Sequence, residues 1–124
     1  MLFNLLLACS SASLLELGRD PHRLGAELGI TSVLHTWTRE LLFHPHVHSI
    51  VTGGGLSLDG ERWVSTRPNF LFPVRVLGAL YRGKFLALLR EAYDGKKLRF
   101  DGAAARLADP RCFQKLLDKL HEKR

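Results

Sequence analysis

Apolar residues recur at helical spacing near both ends of the chain, whereas the middle is rich in β-branched and aromatic residues. Between Leu5 and Leu17, the residues Leu6, Leu7, Leu14, Leu15 and Leu17 predict a helix, weakened at its middle by Cys9-Ser10-Ser11 and closed by Gly18. Asp20-Pro21 suits the cap and first turn of a short second helical piece ending near Gly29. At Ile30 the pattern changes to ITSVLHTW, which predicts a strand through Trp37. A second strand covers Val47 to Val51, and the connection Arg39 to Pro45 is long enough for a hairpin, making the two antiparallel neighbours. Asp59-Gly60 in LSLDGERWV is the strongest local hairpin signal, its tip in solvent.

Pro73 can begin a helix whose apolar positions Val74, Leu77, Tyr81, Phe85, Leu88 and Leu89 follow helical spacing, ending around Asp94-Gly95. The segment LRFDGAAARLAD is ambiguous: Leu98 to Phe100 fit a short strand, with Asp101-Gly102 as a turn. A last helix starts at Asp109-Pro110 and carries Phe113, Leu116, Leu117 and Leu120 on one stripe. A helix, then strands, then helices argues an α+β fold with a mainly antiparallel sheet, in one domain over residues 1–124.

Composition narrows the partners. Apolar residues make up 46% of the chain, so it is not compositionally disordered. Eighteen Lys+Arg against 12 Asp+Glu give a formal net charge of +6, which favours a polyanionic partner, nucleic acid first, over an acidic one. Cys9 and Cys112 form no CxxC pair, so no disulfide framework or zinc knuckle is signalled and a reducing cytoplasm fits best. The opening MLFNLLLAC lacks the basic start of a secretion signal and reads as part of a core helix. No apolar stretch approaches the length of a membrane span, so no membrane partner is expected.

The candidate chemistry lies in LLFHPHVHSIVTGGG, Leu41 to Gly55. Strand alternation puts His44, His46 and His48 on one face and Val47 on the other, a metal-site geometry that still asks for a ligand from a neighbouring strand and an open position for substrate. Gly53-Gly54-Gly55 admits close approach of a phosphate or a bend of the sheet. The bend is favoured, because no Gly-Lys-Ser/Thr follows as in a phosphate loop.

HPHVH followed by SIVTGGGLSLDG, preceded by VLHTWTRELLF and followed by RW, FLFPV and YRGKFL, resembles the two-tyrosine rolling-circle transposases of bacterial insertion sequences. These belong to the HUH endonuclease superfamily, and the triplet would here be His46-Val47-His48. The resemblance implies metal-dependent single-strand DNA nicking and strand transfer at transposon ends, with paired histidines holding magnesium or manganese against the scissile phosphate. A tyrosine attacks phosphorus to give a phosphotyrosine intermediate, so joining needs no ATP. The third ligand follows from parity: His35, Trp37 and Arg39 share a strand face, and His35 alone among them binds a cation. The plainer reading of His35 is a strand histidine satisfied by a backbone carbonyl. His44 competes, but Pro45 is expected to break the alternation and leave it behind the ligands or against DNA.

The chain departs from the family pattern in two ways. It holds neither the tyrosine pair expected downstream nor the zinc-binding region expected upstream. Its tyrosines, Tyr81 and Tyr93, read as structural. It is therefore expected to be a partial HUH domain, truncated at both ends and inactive alone, with another transposase polypeptide as a source of the tyrosine. A second reading is a non-catalytic remnant that binds single-stranded DNA through Arg62, Arg67, Arg75, Arg82 and Lys84, with Trp63 stacking on a base. The bland view of these residues is a solvated helix face and a hairpin tryptophan. A third reading, a histidine-triad nucleotide hydrolase with His46 as nucleophile, is disfavoured. Pro45 and Ser49 occupy apolar positions of that pattern, and too little chain precedes it.

Overall fold

A computed structural model describes residues 1–123. The elements run α1 (Leu2–Arg19), β1 (Ala26–Trp37), β2 (Phe43–Ser57), β3 (Trp63–Ser65), α2 (Val74–Asp94), a 3₁₀ segment (Gly102–Ala108) and α3 (Pro110–Glu122). The strands form one antiparallel sheet in the order β1-β2-β3, making the fold α+β as the element pattern predicts.

One face of the sheet carries the helices. Leu14 and Leu17 of α1 pack on Leu28 of β1 and on Phe72, with Ile30, Val51, Leu77 and Leu80 around them. A second core gathers Leu86 and Leu89 of α2 with Phe113 and Leu117 of α3, flanked by Leu98, Phe100 and Leu120. α2 thus contributes to both cores, its N-terminal half to the first and its C-terminal half to the second.

The serines of α1 do not interrupt the helix. Cys9 and Ser13 are fully buried, and Ser13 Oγ donates to the Cys9 carbonyl at 2.6 Å, which satisfies the hydroxyl inside the helix. Ser10 Oγ lies 3.4 Å from Ser49 Oγ, which in turn sits 2.8 Å from Ser32 Oγ. Small polar residues therefore line the helix where it meets both long strands.

Three expectations are corrected. No second helix follows Asp20-Pro21: the Asp20 carbonyl accepts from the amides of Arg23, Leu24 and Gly25, closing a single turn, and β1 starts at Ala26. Burial of Ala26 and Leu28 against α1 draws that segment into the sheet, four residues before the β-branched run begins. Leu98 to Phe100 form no strand. Their apolar side chains pack into the second core while the backbone stays irregular. Val74 is 84% exposed, because the inward face of α2 is set further along by Leu86, Leu89 and Ala92.

β2 continues through the three glycines and bends there, as the favoured reading expects. Between the pairs Leu28↔Gly55 and Ile30↔Val51, β1 advances two residues while β2 advances four, a bulge that re-aims the strand. A side chain on Gly55 would overlap the Glu27 carbonyl oxygen, and one on Gly54 the Val64 carbonyl oxygen. Close approach does explain these glycines, but what approaches is the neighbouring strand.

Candidate metal centre

Along β1, Ser32, Leu34 and Thr36 point toward the helices and Val33, His35 and Trp37 point away, as the alternating burial records. The register sets His35 opposite His46 and Val33 opposite His48, so the three imidazoles share the uncovered face. Their ring centroids lie 5.4 Å apart for His35 and His46, 4.4 Å for His35 and His48, and 4.8 Å for His46 and His48. One nitrogen from each falls within 4.8 Å of the others.

The His46 ring is oriented by the backbone beside it. Its Nδ1 is 2.7 Å from the His44 carbonyl oxygen, so the proton sits on Nδ1 and the lone pair on Nε2. That Nε2 lies 3.0 Å from His48 Nε2. Two nitrogens bound at about 2.1 Å and at right angles are about 3.0 Å apart, so this pair is spaced for a shared cation. With the lone pair on His46 Nε2, the hydrogen bond between the two rings is donated by His48 Nε2–H. His35 and His48 are exposed and His46 is half-buried, leaving the solvent side open for further ligands.

Pro45 creates the irregularity next to the cluster. From His35↔His46 to Trp37↔Phe43, β1 advances two residues and β2 three, so His44 falls out of the alternation. Its ring centroid lies 5.1 Å from that of His46, but the nitrogens that converge belong to His35, His46 and His48, and the hydrogen bond from His44 to the cluster is made by its carbonyl.

The other candidate residues are distributed over the molecule. Trp63 pairs with Leu56 on the uncovered face, at the far end of the sheet from the histidines. Arg62 precedes it in the Asp59-Gly60 turn, its carbonyl accepting from Ser57 N. Arg67 lines a groove of about 330 Å³ with His22, Arg23 and Phe70. Arg75 and Arg82 line another, of about 730 Å³, with Gly78, Ala79 and Lys123. Both stand on α2, in the layer behind the sheet. Lys84 is paired with Glu16 of α1 at 2.8 Å. Lys123 was not singled out from sequence, and only the folding of α3 beside α2 brings it in.

Both tyrosines lie away from the histidines. Tyr81 lines a hollow with Val47 and Ser49, whose side chains point to the opposite face of β2 from His46 and His48. Burial pushes its phenol above the usual range, which disfavours the phenolate. Tyr93 stacks on Phe113 at 3.9 Å and donates its hydroxyl to the Ala108 carbonyl.

Residues 29–124 match the model of a family described as "Putative transposase". A relative from Sinorhizobium fredii, "Putative transposase y4qJ", is 42% identical over 122 residues, covering 98% of this chain and 31% of the relative. The "Transposase for insertion sequence element IS801" of Pseudomonas savastanoi pv. phaseolicola is 53% identical over 38 residues, 31% of this chain and 9% of that protein. The chain thus spans about a third of the length of the first of these relatives. No solved structure matches significantly. Among the described residues no helix is long and apolar enough to cross a membrane.

Proposed function

The chain belongs to this transposase family, and from that premise we propose that His35, His46 and His48 hold a divalent cation, manganese or magnesium, against a phosphate of single-stranded DNA at a transposon end. The observation that carries the proposal is the convergence of three imidazoles from two strands on an open sheet face, with one ring held by a backbone carbonyl. Three nitrogen donors suit manganese better than magnesium, which prefers oxygen. The bound cation would draw charge from a phosphate oxygen and support the leaving 3′ oxygen.

The chain's own residues position and bind. The His44 carbonyl fixes the His46 tautomer and ring plane, so Nε2 faces the substrate side. Arg62, Arg67, Arg75 and Arg82, joined by Lys123, offer the DNA backbone positive charge. Nicking and strand transfer through a phosphotyrosine require a hydroxyl on the histidine side, so the nucleophile comes from outside these residues, from another segment or another transposase polypeptide. Alone, the chain binds DNA without cutting it, a reading favoured by the packing of Tyr81 and Tyr93 away from the cluster. Its place is the cytoplasm, where its DNA substrate lies and its two free cysteines stay reduced.

The test is the affinity for a single-stranded oligonucleotide with and without manganese. The wild type should bind more tightly with the metal, the His46→Ala/His48→Ala double variant should lose that gain, and no covalent adduct should form. Equal affinity with and without manganese in a folded wild type would contradict the proposal. An adduct would return the nucleophile to Tyr81 or Tyr93.

A further inference from the structure

The uncovered face next to the histidines ends in two large aromatic rings. Trp37 and Phe43 are direct cross-strand partners, one step along the sheet from His35↔His46, and are 63% and 76% exposed. Two strand residues span about 6.6 Å, so this pair is the next same-face step along β1 from His35. The hairpin of residues 38–42 supports them from the end: the Thr38 amide donates to the Leu42 carbonyl, and the Leu42 amide to Thr38 Oγ1. Leu41 holds a positive φ of 61° to close that turn, and Leu41 and Leu42 are themselves exposed.

Trp37 and Phe43 put two adjoining aromatic side chains in solvent at the strand end, where a planar apolar partner gains by covering them. The charge around the pair decides which. On the sheet face itself the carboxylate is Glu27, at the other end of β1 and engaged by Arg19 at 2.6 Å. In the hairpin Glu40 is offset by Arg39, and the chain as a whole carries +6. An aromatic surface in a positive, carboxylate-poor setting, beside a cluster suited to a cation and its phosphate, matches a nucleotide: base on the rings, phosphate at the histidines.

We propose that Trp37 and Phe43 form a stacking platform for the base adjoining the phosphate at the histidine cluster, and so fix which phosphate of the strand reaches it. The inference rests on the DNA reading above and adds a base subsite to it. Stacking is indifferent to base identity in the main, so the platform positions the strand and leaves sequence choice to other contacts.

The experiment is a cycle between Trp37→Ala and an oligonucleotide carrying consecutive abasic nucleotides, with affinity measured in manganese at several salt concentrations. Trp37→Ala should weaken binding to the intact oligonucleotide roughly 5- to 100-fold, and Trp37→Phe much less. On the abasic oligonucleotide, wild type and Trp37→Ala should bind alike. The slope of affinity against salt should be the same for both proteins, since no phosphate contact is removed. An equal loss on intact and abasic strands would overturn the platform and assign Trp37 a structural or protein-facing role, as would unchanged binding in Trp37→Ala. Failure of the folded wild type to bind any single strand would overturn the DNA reading and the platform together, and is distinguished by leaving nothing for the variant to lose.

Discussion

At single residues, backbone groups shape the site as much as side chains do. His44 acts on the cluster through its carbonyl oxygen, which any residue at that position would present. Its ring is therefore dispensable in a way that His46 and His48 are not. The turn at Asp59 works through a side chain: its carboxylate accepts from the Ser57 hydroxyl and from the Glu61 amide, which together hold its acidity stronger than an ordinary aspartate. A carboxyl whose folded value is depressed contributes its stabilisation above the unfolded value, about pH 3.9, and loses it as pH falls through the lower folded value. A titration followed at the Glu61 amide by NMR should show a midpoint below that of an ordinary aspartate, and no such step in Asp59→Asn. A midpoint at or above the ordinary value would refute the contact. Much of this arrangement was legible in the sequence, because strand parity places His35 with His46 and His48 once the hairpin is drawn. Trp37 shares that parity, but its partner Phe43 could not be paired with it before the bulge at Pro45 was seen.

At the scale of elements, glycine placement tests whether the sheet itself explains the triplet. Gly55 is pressed against Glu27 of β1, whereas Gly53 faces open space. Gly55→Ala should destabilise the chain by about 1–3 kcal/mol in a denaturant titration, since backbone must move, while Gly53→Ala should cost under about 1 kcal/mol. Equal effects would mean that the glycines answer to something other than the strand contact. The sequence signalled α3 well, because Asp109 and Pro110 announce its start and its apolar stripe is unbroken; Asp109 Oδ1 indeed accepts from the amides of Arg111 and Cys112. The same Asp-Pro signal at Asp20 misled, since it marks any tight turn and only burial of Ala26 and Leu28 decides that a strand follows. The helix predicted across the serines of α1 is present and unbroken. Their low helical preference is outweighed by the contacts with β1 and β2 that small side chains permit.

At the scale of the whole molecule, the fold is one-sided. One face of the sheet packs on helices through the first core, and the other presents the imidazoles with exposed apolar residues, Val33, Trp37, Ile50, Leu56 and Trp63, along it. The cationic grooves lie on the helical layer and the imidazoles on the other face, an arrangement that charge and residue spacing could not reveal, since neither says which layer an arginine joins. The proposed cation site uses three histidines and not the fourth. Manganese binding by calorimetry to the wild type and to four single variants distinguishes the three from the fourth. His35→Ala, His46→Ala and His48→Ala should each weaken binding about tenfold or more, with His44→Ala close to wild type. A folded wild type that binds no manganese, or a His44→Ala variant as impaired as the other three, would contradict the site described.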